Sequence, residues 1–96
     1  MATSPITNAS LCLRLYVSGN APNSRRAIAN AKAICMAHFA SRHDLQIVDM
    51  LEDPHMALAD GIIVSPTLLK LSPLPTARVV GDLSDTTRVL EALSIT

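Results

Sequence analysis

The sequence predicts an α/β domain with the element order β-α-β-α-β-β-α and a central mixed sheet. Three observations carry this. Leu11 to Val17 alternates its side chains as a strand does, and apolar residues then recur at helical spacing from Ala27 to Phe39. A second apolar stretch, Leu45 to Met50, follows a polar break. Strand, long helix and strand in that order default to a right-handed parallel βαβ unit. The length, 96 residues, favours one domain, and a composition that is 49% hydrophobic is enough to fill a core.

Each element has a local reason. Residues 1–10 carry no periodic pattern and are expected as a short flexible tail, which leaves 11–96 as the domain. In the first strand Leu11, Leu13, Leu15 and Val17 share one face. Cys12, Arg14 and Tyr16 share the other, a mixed face expected to be partly covered. Ser18-Gly19-Asn20-Ala21-Pro22 is turn chemistry, and Asn23 or Ser24 is placed to cap a helix running to about Ala40. That helix turns Ala27, Ile28, Ala31, Ile34, Cys35 and His38 or Phe39 inward, with Arg25, Arg26, Asn30 and Lys32 opposite. After the second strand, Asp53 is a good N-cap, Pro54 suits the first helical position, and Gly61 ends a short helix. Ile62-Ile63-Val64 reads as a short apolar strand. Ser65-Pro66-Thr67 interrupts it, and Leu68 to Leu71 continues extended. Ser72 to Thr76 is a proline-rich turn and Ala77 to Val80 a fourth strand. Gly81-Asp82-Leu83-Ser84 turns into a last helix over Asp85 to Leu93, capped by Ser84, with Val89, Leu90 and Leu93 inward. Thr86, Thr87 and Val89 are weak helix formers, so the pairings after Asp53 are the least determined by local pattern. A hairpin before the last helix makes the order thioredoxin-like. A proline just before the third strand fits that order, being often cis there and facing the strand-to-helix corner.

Several functions are disfavoured by composition. Zero formal net charge argues against a general polyanion binder, and one Tyr, one Phe and no Trp argue against base stacking. No apolar run approaches the roughly 18 residues of a membrane span, and the N-terminus has no signal-peptide pattern, so the expected location is cytoplasmic. Redox chemistry on this fold needs a low-pKa thiolate at the strand-to-helix corner. Here the corner is Gly19-Asn20-Ala21-Pro22-Asn23, whereas Cys12 lies within a strand and Cys35 about three turns into the helix, both reading as small buried hydrophobes. Cys35 and His38 share a helix face, and with His43 and His55 they could make a metal set. No zinc spacing is present, and a core cysteine beside a partly exposed histidine is the simpler reading. The carboxylates Asp49, Glu52, Asp53, Asp60, Asp82 and Asp85 match neither a catalytic triad order nor a phosphate loop, and most read as solvated groups. No catalytic residue, metal ligand or cofactor is expected. What remains suits a docking module.

Three motifs carry a resemblance. LRLYVSGNAPNSRRA at Leu13 to Ala27 resembles the leucine-tyrosine-valine strand and Gly-Asn-x-Pro-x-Ser corner of the KaiB circadian-clock family. SPTLLKLSPLP at Ser65 to Pro75 and VVGDLSD at Val79 to Asp85 are similar to two further signatures of that family, in the same order and spacing. The resemblance implies a non-enzymatic thioredoxin-like module that binds KaiC, a P-loop ATPase and autokinase. It also implies recruitment of KaiA through that complex and competition with a histidine kinase whose sensor domain is thioredoxin-like. It implies a metamorphic chain as well, with an alternative, often tetrameric, resting fold. Arg26 and Lys70 keep the family's basic positions and Arg14 keeps the charge on the first strand, so these three are the expected partner-binding residues. Gly19, Asn20, Pro22, Pro66, Gly81, Asp82 and Asp85 are the expected fold-determining ones.

The chain departs from the pattern at Glu52, where a lysine is usual, and at Gly61, where a basic residue is common. It departs again at Pro73-Leu74-Pro75, a broken proline triplet, and at Arg78, which stands alone where two basic residues are paired. These changes point to a divergent paralogue. The alternatives are a thioredoxin-fold oxidoreductase or peroxidase, which the corner without cysteine opposes, and a free-standing sensor-type domain of a histidine kinase system. The thioredoxin-like form, monomeric or weakly dimeric, is the expected resting state, with the family's tetramer as the competitor.

Overall fold

A computed structural model describes residues 11–40 and 42–93; the expected tail at 1–10 lies outside them. The elements are β1 (Leu11–Val17), α1 (Pro22–His38), β2 (His43–Asp49), α2 (Pro54–Ala59), β3 (Thr67–Ser72), β4 (Ala77–Val80) and α3 (Thr86–Ala92). They form one mixed sheet in the order β2-β1-β3-β4. β1 runs parallel to β2 and antiparallel to β3, and β3 is antiparallel to β4. Leu15 therefore sits between Ile47 on one side and Leu68 on the other.

The alternation of β1 divides the interior into two layers. On one face Leu11, Leu13, Leu15 and Val17 pack with Leu68 and Val79 against Ala27, Ala31, Ile34 and Cys35 of α1 and Val89 and Leu93 at α3. Each of those four β1 side chains contributes roughly 1.5–3 kcal/mol by leaving water. On the other face Tyr16, Val48 and Leu69 meet Ala57 of α2 and Ile62. Cys35 is buried, as its spacing implied, while Cys12 is half-buried. Phe39, rather than His38, is the residue that turns toward the core.

Three local expectations change. α1 starts at Pro22 with Ala21 as N-cap and no side-chain cap, so neither Asn23 nor Ser24 caps it. Proline at the first position brings the helical φ and needs no donor there, and the Ser24 hydroxyl accepts from the Ser18 amide instead, at 3.0 Å. α3 is capped by Asp85, not Ser84: the Asp85 carboxylate accepts from the Arg88 amide at 3.1 Å, and the Ser84 amide is occupied by the Asp82 carboxylate at 3.0 Å. Ile62-Ile63-Val64 is not a strand. β1 ends at Val17 and its pairing with β3 begins at Tyr16 opposite Thr67, so residues before Thr67 have no strand beside them. Ile62 turns inward and Ile63 is 90% exposed. The Asp53-Pro54 start is as read, with the Asp53 carboxylate accepting from the Met56 amide at 3.3 Å.

Candidate partner-binding face

The corner after β1 lies where β1 and β2 both end and β3 begins, the end of a parallel strand pair where α/β sheets commonly place their sites. Gly19 takes φ +54°, a backbone state that favours glycine. Its amide donates to Asp49 Oδ1 at 3.0 Å, and the same oxygen accepts from the Leu51 amide at 2.9 Å. Asp49 thus braces the corner from the end of β2. The Ser18 hydroxyl is bonded to that of Ser65, which precedes the cis peptide bond to Pro66. Pro66 is buried, and its carbonyl accepts from the Gly81 amide at 2.9 Å, tying in the turn after β4. Asn20, Ala21, Pro22 and Asn23 remain exposed. The Leu51 side chain, beside Gly19, is exposed, and Ile63 and Val64, which lead into Ser65, are exposed as well.

No thiolate is present at this corner. Burial pushes the Cys35 thiol up from its ordinary range, the opposite of nucleophile activation. Among the described residues no group of three or more His, Cys, Asp or Glu side chains is placed to hold a metal, so Cys35, His38, His43 and His55 do not assemble. What the corner offers is a rigid backbone with an apolar rim.

The three expected basic residues do not form one patch. Arg26 is exposed on α1, bonded to Asn23 Oδ1 at 2.5 Å and 3.5 Å from Asp82 Oδ2. Asp82 also accepts from Asn30 through its carbonyl at 2.8 Å, so it joins α1 to the turn before α3. The Ser84 hydrogen bonds, and secondarily Arg26, lower its pKa. Arg14 lies on the opposite side of the sheet, donating to Asp60 Oδ2 at 2.8 Å and to Gln46 Oε1 at 2.9 Å. Lys70, expected as a partner-binding residue, is 1% exposed. β3 is an inner strand and its alternation puts Lys70 on the face shared with Leu68, so this arrangement does not offer its charge to a partner.

Sequence reasoning missed a polar cluster beneath α2. Asp60, read as a solvated carboxylate, accepts from the Tyr16 hydroxyl as well as from Arg14. Tyr16 is fully buried, and desolvation, then the bond to Asp60, pushes its phenol up to about 12. Asp60 moves the other way: the Tyr16 bond, then Arg14, holds its carboxyl below the ordinary value. Arg14 is raised in turn, chiefly by Asp60. Arg78 donates to the carbonyls of Asp60 at 2.6 Å and Gly61 at 2.9 Å. The available signal was an arginine and a tyrosine on the same mixed face of β1.

Comparison with known proteins gives the same frame. The family model described as the KaiB domain matches residues 14–95. The chain is 45% identical over 83 residues to the circadian clock oscillator protein KaiB of Synechococcus elongatus, covering 86% of this chain and 81% of that one. It is 42% identical over 85 residues to the circadian clock protein KaiB3 of a Synechocystis species, covering 88% and 83%. Among solved structures, the N-terminal domain of Synechococcus elongatus SasA superposes with a TM-score of 0.75 at 23% identity, covering 100% of this chain and 98% of that one. The thioredoxin Deadhead of Drosophila melanogaster superposes at 0.74 with 11% identity, covering 92% and 84%. At those identities the structural matches speak for the thioredoxin-like fold alone. With a matching domain model across most of its length, and relatives that are circadian clock proteins, the chain belongs to the KaiB family.

Proposed function

We propose that this chain is a non-enzymatic docking module that binds a KaiC-type P-loop ATPase through the corner face and so takes part in circadian or related signalling. The observation that carries this is the corner itself. It keeps the backbone of a thioredoxin-like redox site, carries no cysteine, and has exposed Leu51 beside Gly19 and exposed Ile63 and Val64 leading into Ser65, which is bonded to Ser18. Exposed apolar side chains on a rigid backbone are what a docking surface uses as anchors. α1 adds charge beside it: Arg25, Arg26 and Lys32 are all exposed and the helix has no carboxylate, so an acidic partner surface fits. KaiA-like and histidine-kinase proteins are the further partners, through the same assembly. A cytoplasmic location goes with this reading, and no described helix is long and apolar enough to cross a membrane.

The test is binding to the host's KaiC-type ATPases by isothermal titration at two salt concentrations. Ile63→Glu is expected to weaken binding at least about tenfold. Arg26→Glu is expected to weaken it modestly and to reduce its salt dependence. Unchanged affinity in both variants refutes the reading. We also propose that the thioredoxin-like arrangement is the resting form, monomeric or weakly dimeric; a stable tetramer by light scattering refutes that.

A further inference from the structure

α2 is held to the sheet differently from α1. α1 buries Ser24, Ala27, Ala31, Ile34 and Cys35, whereas α2 buries only Ala57 and leaves Leu58 exposed. Beyond the apolar contacts of Ala57 and the partly buried Met56, its attachment is polar and concentrated at its C-terminal end. Asp60 receives Arg14 at 2.8 Å and the Tyr16 hydroxyl, which also lies 3.1 Å from the Met56 carbonyl. Arg78 closes on the carbonyls of Asp60 and Gly61. Side chains from β1 and β4 thus converge on residues 56–61, while the apolar cluster under α2 shares no member with the cluster under α1 and α3.

We propose that the Asp60 corner is a latch, and that the segment from Asp53 to Val64 opens as one unit, ahead of the rest of the domain, when the latch is released. Opening lifts Ala57 and Ile62 off Tyr16, Val48 and Leu69 and leaves the other layer packed. Segments with few buried apolar contacts are the ones that open locally. The groups facing Asp60 are Arg14 and Tyr16 from β1 and Arg78 from β4, with Gln46 of β2 reached through Arg14. Arg14 and Tyr16 are both raised from their ordinary values, so on the acid side the group of this corner that titrates is Asp60. Its pKa is lowered on folding, so the latch holds above the ordinary carboxylate value of 3.8 and is lost as pH falls through the lower native one.

Native-state hydrogen exchange tests this. The reporters are the amides of Asp60, Gly61 and Ile62, which donate to the carbonyls of Met56, Leu58 and Ala57. In Asp60→Asn these amides are expected to exchange about 10- to 100-fold faster relative to α1 amides, the scale set by losing charge-assisted hydrogen bonds. Val89→Ala, in the other layer, is expected to move the α1 amides at least as much. If Asp60→Asn does not fold, Tyr16→Phe, which removes one hydroxyl, is read at the same amides. Acceleration spread evenly over α1 and α2, none at all, or a selective effect of Val89→Ala on residues 60–62 overturns the proposal.

Discussion

Ala27→Leu should destabilise the domain by about 2–3 kcal/mol, because α1 is seated on the sheet through alanines. Ala27 is 0% and Ala31 2% exposed, one turn apart on the face that meets Leu11, Leu13, Leu15 and Val17. Small side chains at both positions let the helix backbone lie close to β1, leaving no room for three more carbons. Overpacking of a well-filled core typically costs about 1–3 kcal/mol, and this site is hard to relax because β1 is fixed between two other strands. Leucine and alanine differ by only a few tenths of a kcal/mol in helix propensity, so the change reports packing. A domain of this size holds on the order of 5–14 kcal/mol in total, so the variant should still fold. With a urea slope of about 1–3 kcal/mol/M, the midpoint should drop by roughly 1 M or more at an unchanged slope. Ala33→Leu is the control: it makes the same change on the exposed side of the same helix and should stay within about 0.5 kcal/mol of wild type. If the two variants denature within about 0.5 kcal/mol of each other, the close seat of α1 is wrong.

Three further outcomes follow from the same structure. Tyr16 is the only tyrosine, so phenolate absorbance reports it alone; the midpoint should lie at about 12, and a midpoint at the ordinary 10.0 would refute its burial against Asp60. Since the folded value is raised, its contribution to stability is complete below the unfolded pKa and fades as pH rises toward the folded one. Asp60 has the opposite sign: the stability gap between wild type and Asp60→Asn should be full near about pH 6 and shrink toward about pH 2, and a gap that does not change with pH contradicts the ion pair. The Cys35 thiol should react with a disulfide reagent only on unfolding, and the protein should not reduce insulin disulfides; turnover in that assay would revive the oxidoreductase reading.

Features that depend on neighbours a few residues apart can be read along the chain. The alternation of Leu11 to Val17 fixes which β1 side chains share a face, Asp53-Pro54 opens α2, and the spacing of Ala27, Ala31, Ile34 and Cys35 selects the inner side of α1. The β-α-β-α-β-β-α order and the corner without cysteine were legible on those grounds, and the KaiB motifs named the family. Features that depend on distant partners emerge only in the folded chain. Asp60 meets Arg14 and Tyr16 across 46 and 44 residues, a separation at which no local pattern says that a carboxylate is tied rather than solvated. Ile63 and Lys70 exchange the places their chemistry suggests. Ile63 is exposed because it precedes β3, where no strand pairs with it, and Lys70 is buried because its register puts it with Leu68 on the face that α1 and α3 cover. Side-chain polarity sets a preference for inside or outside, but strand order and register decide which positions are covered, and these come from contacts made only once the whole sheet has formed.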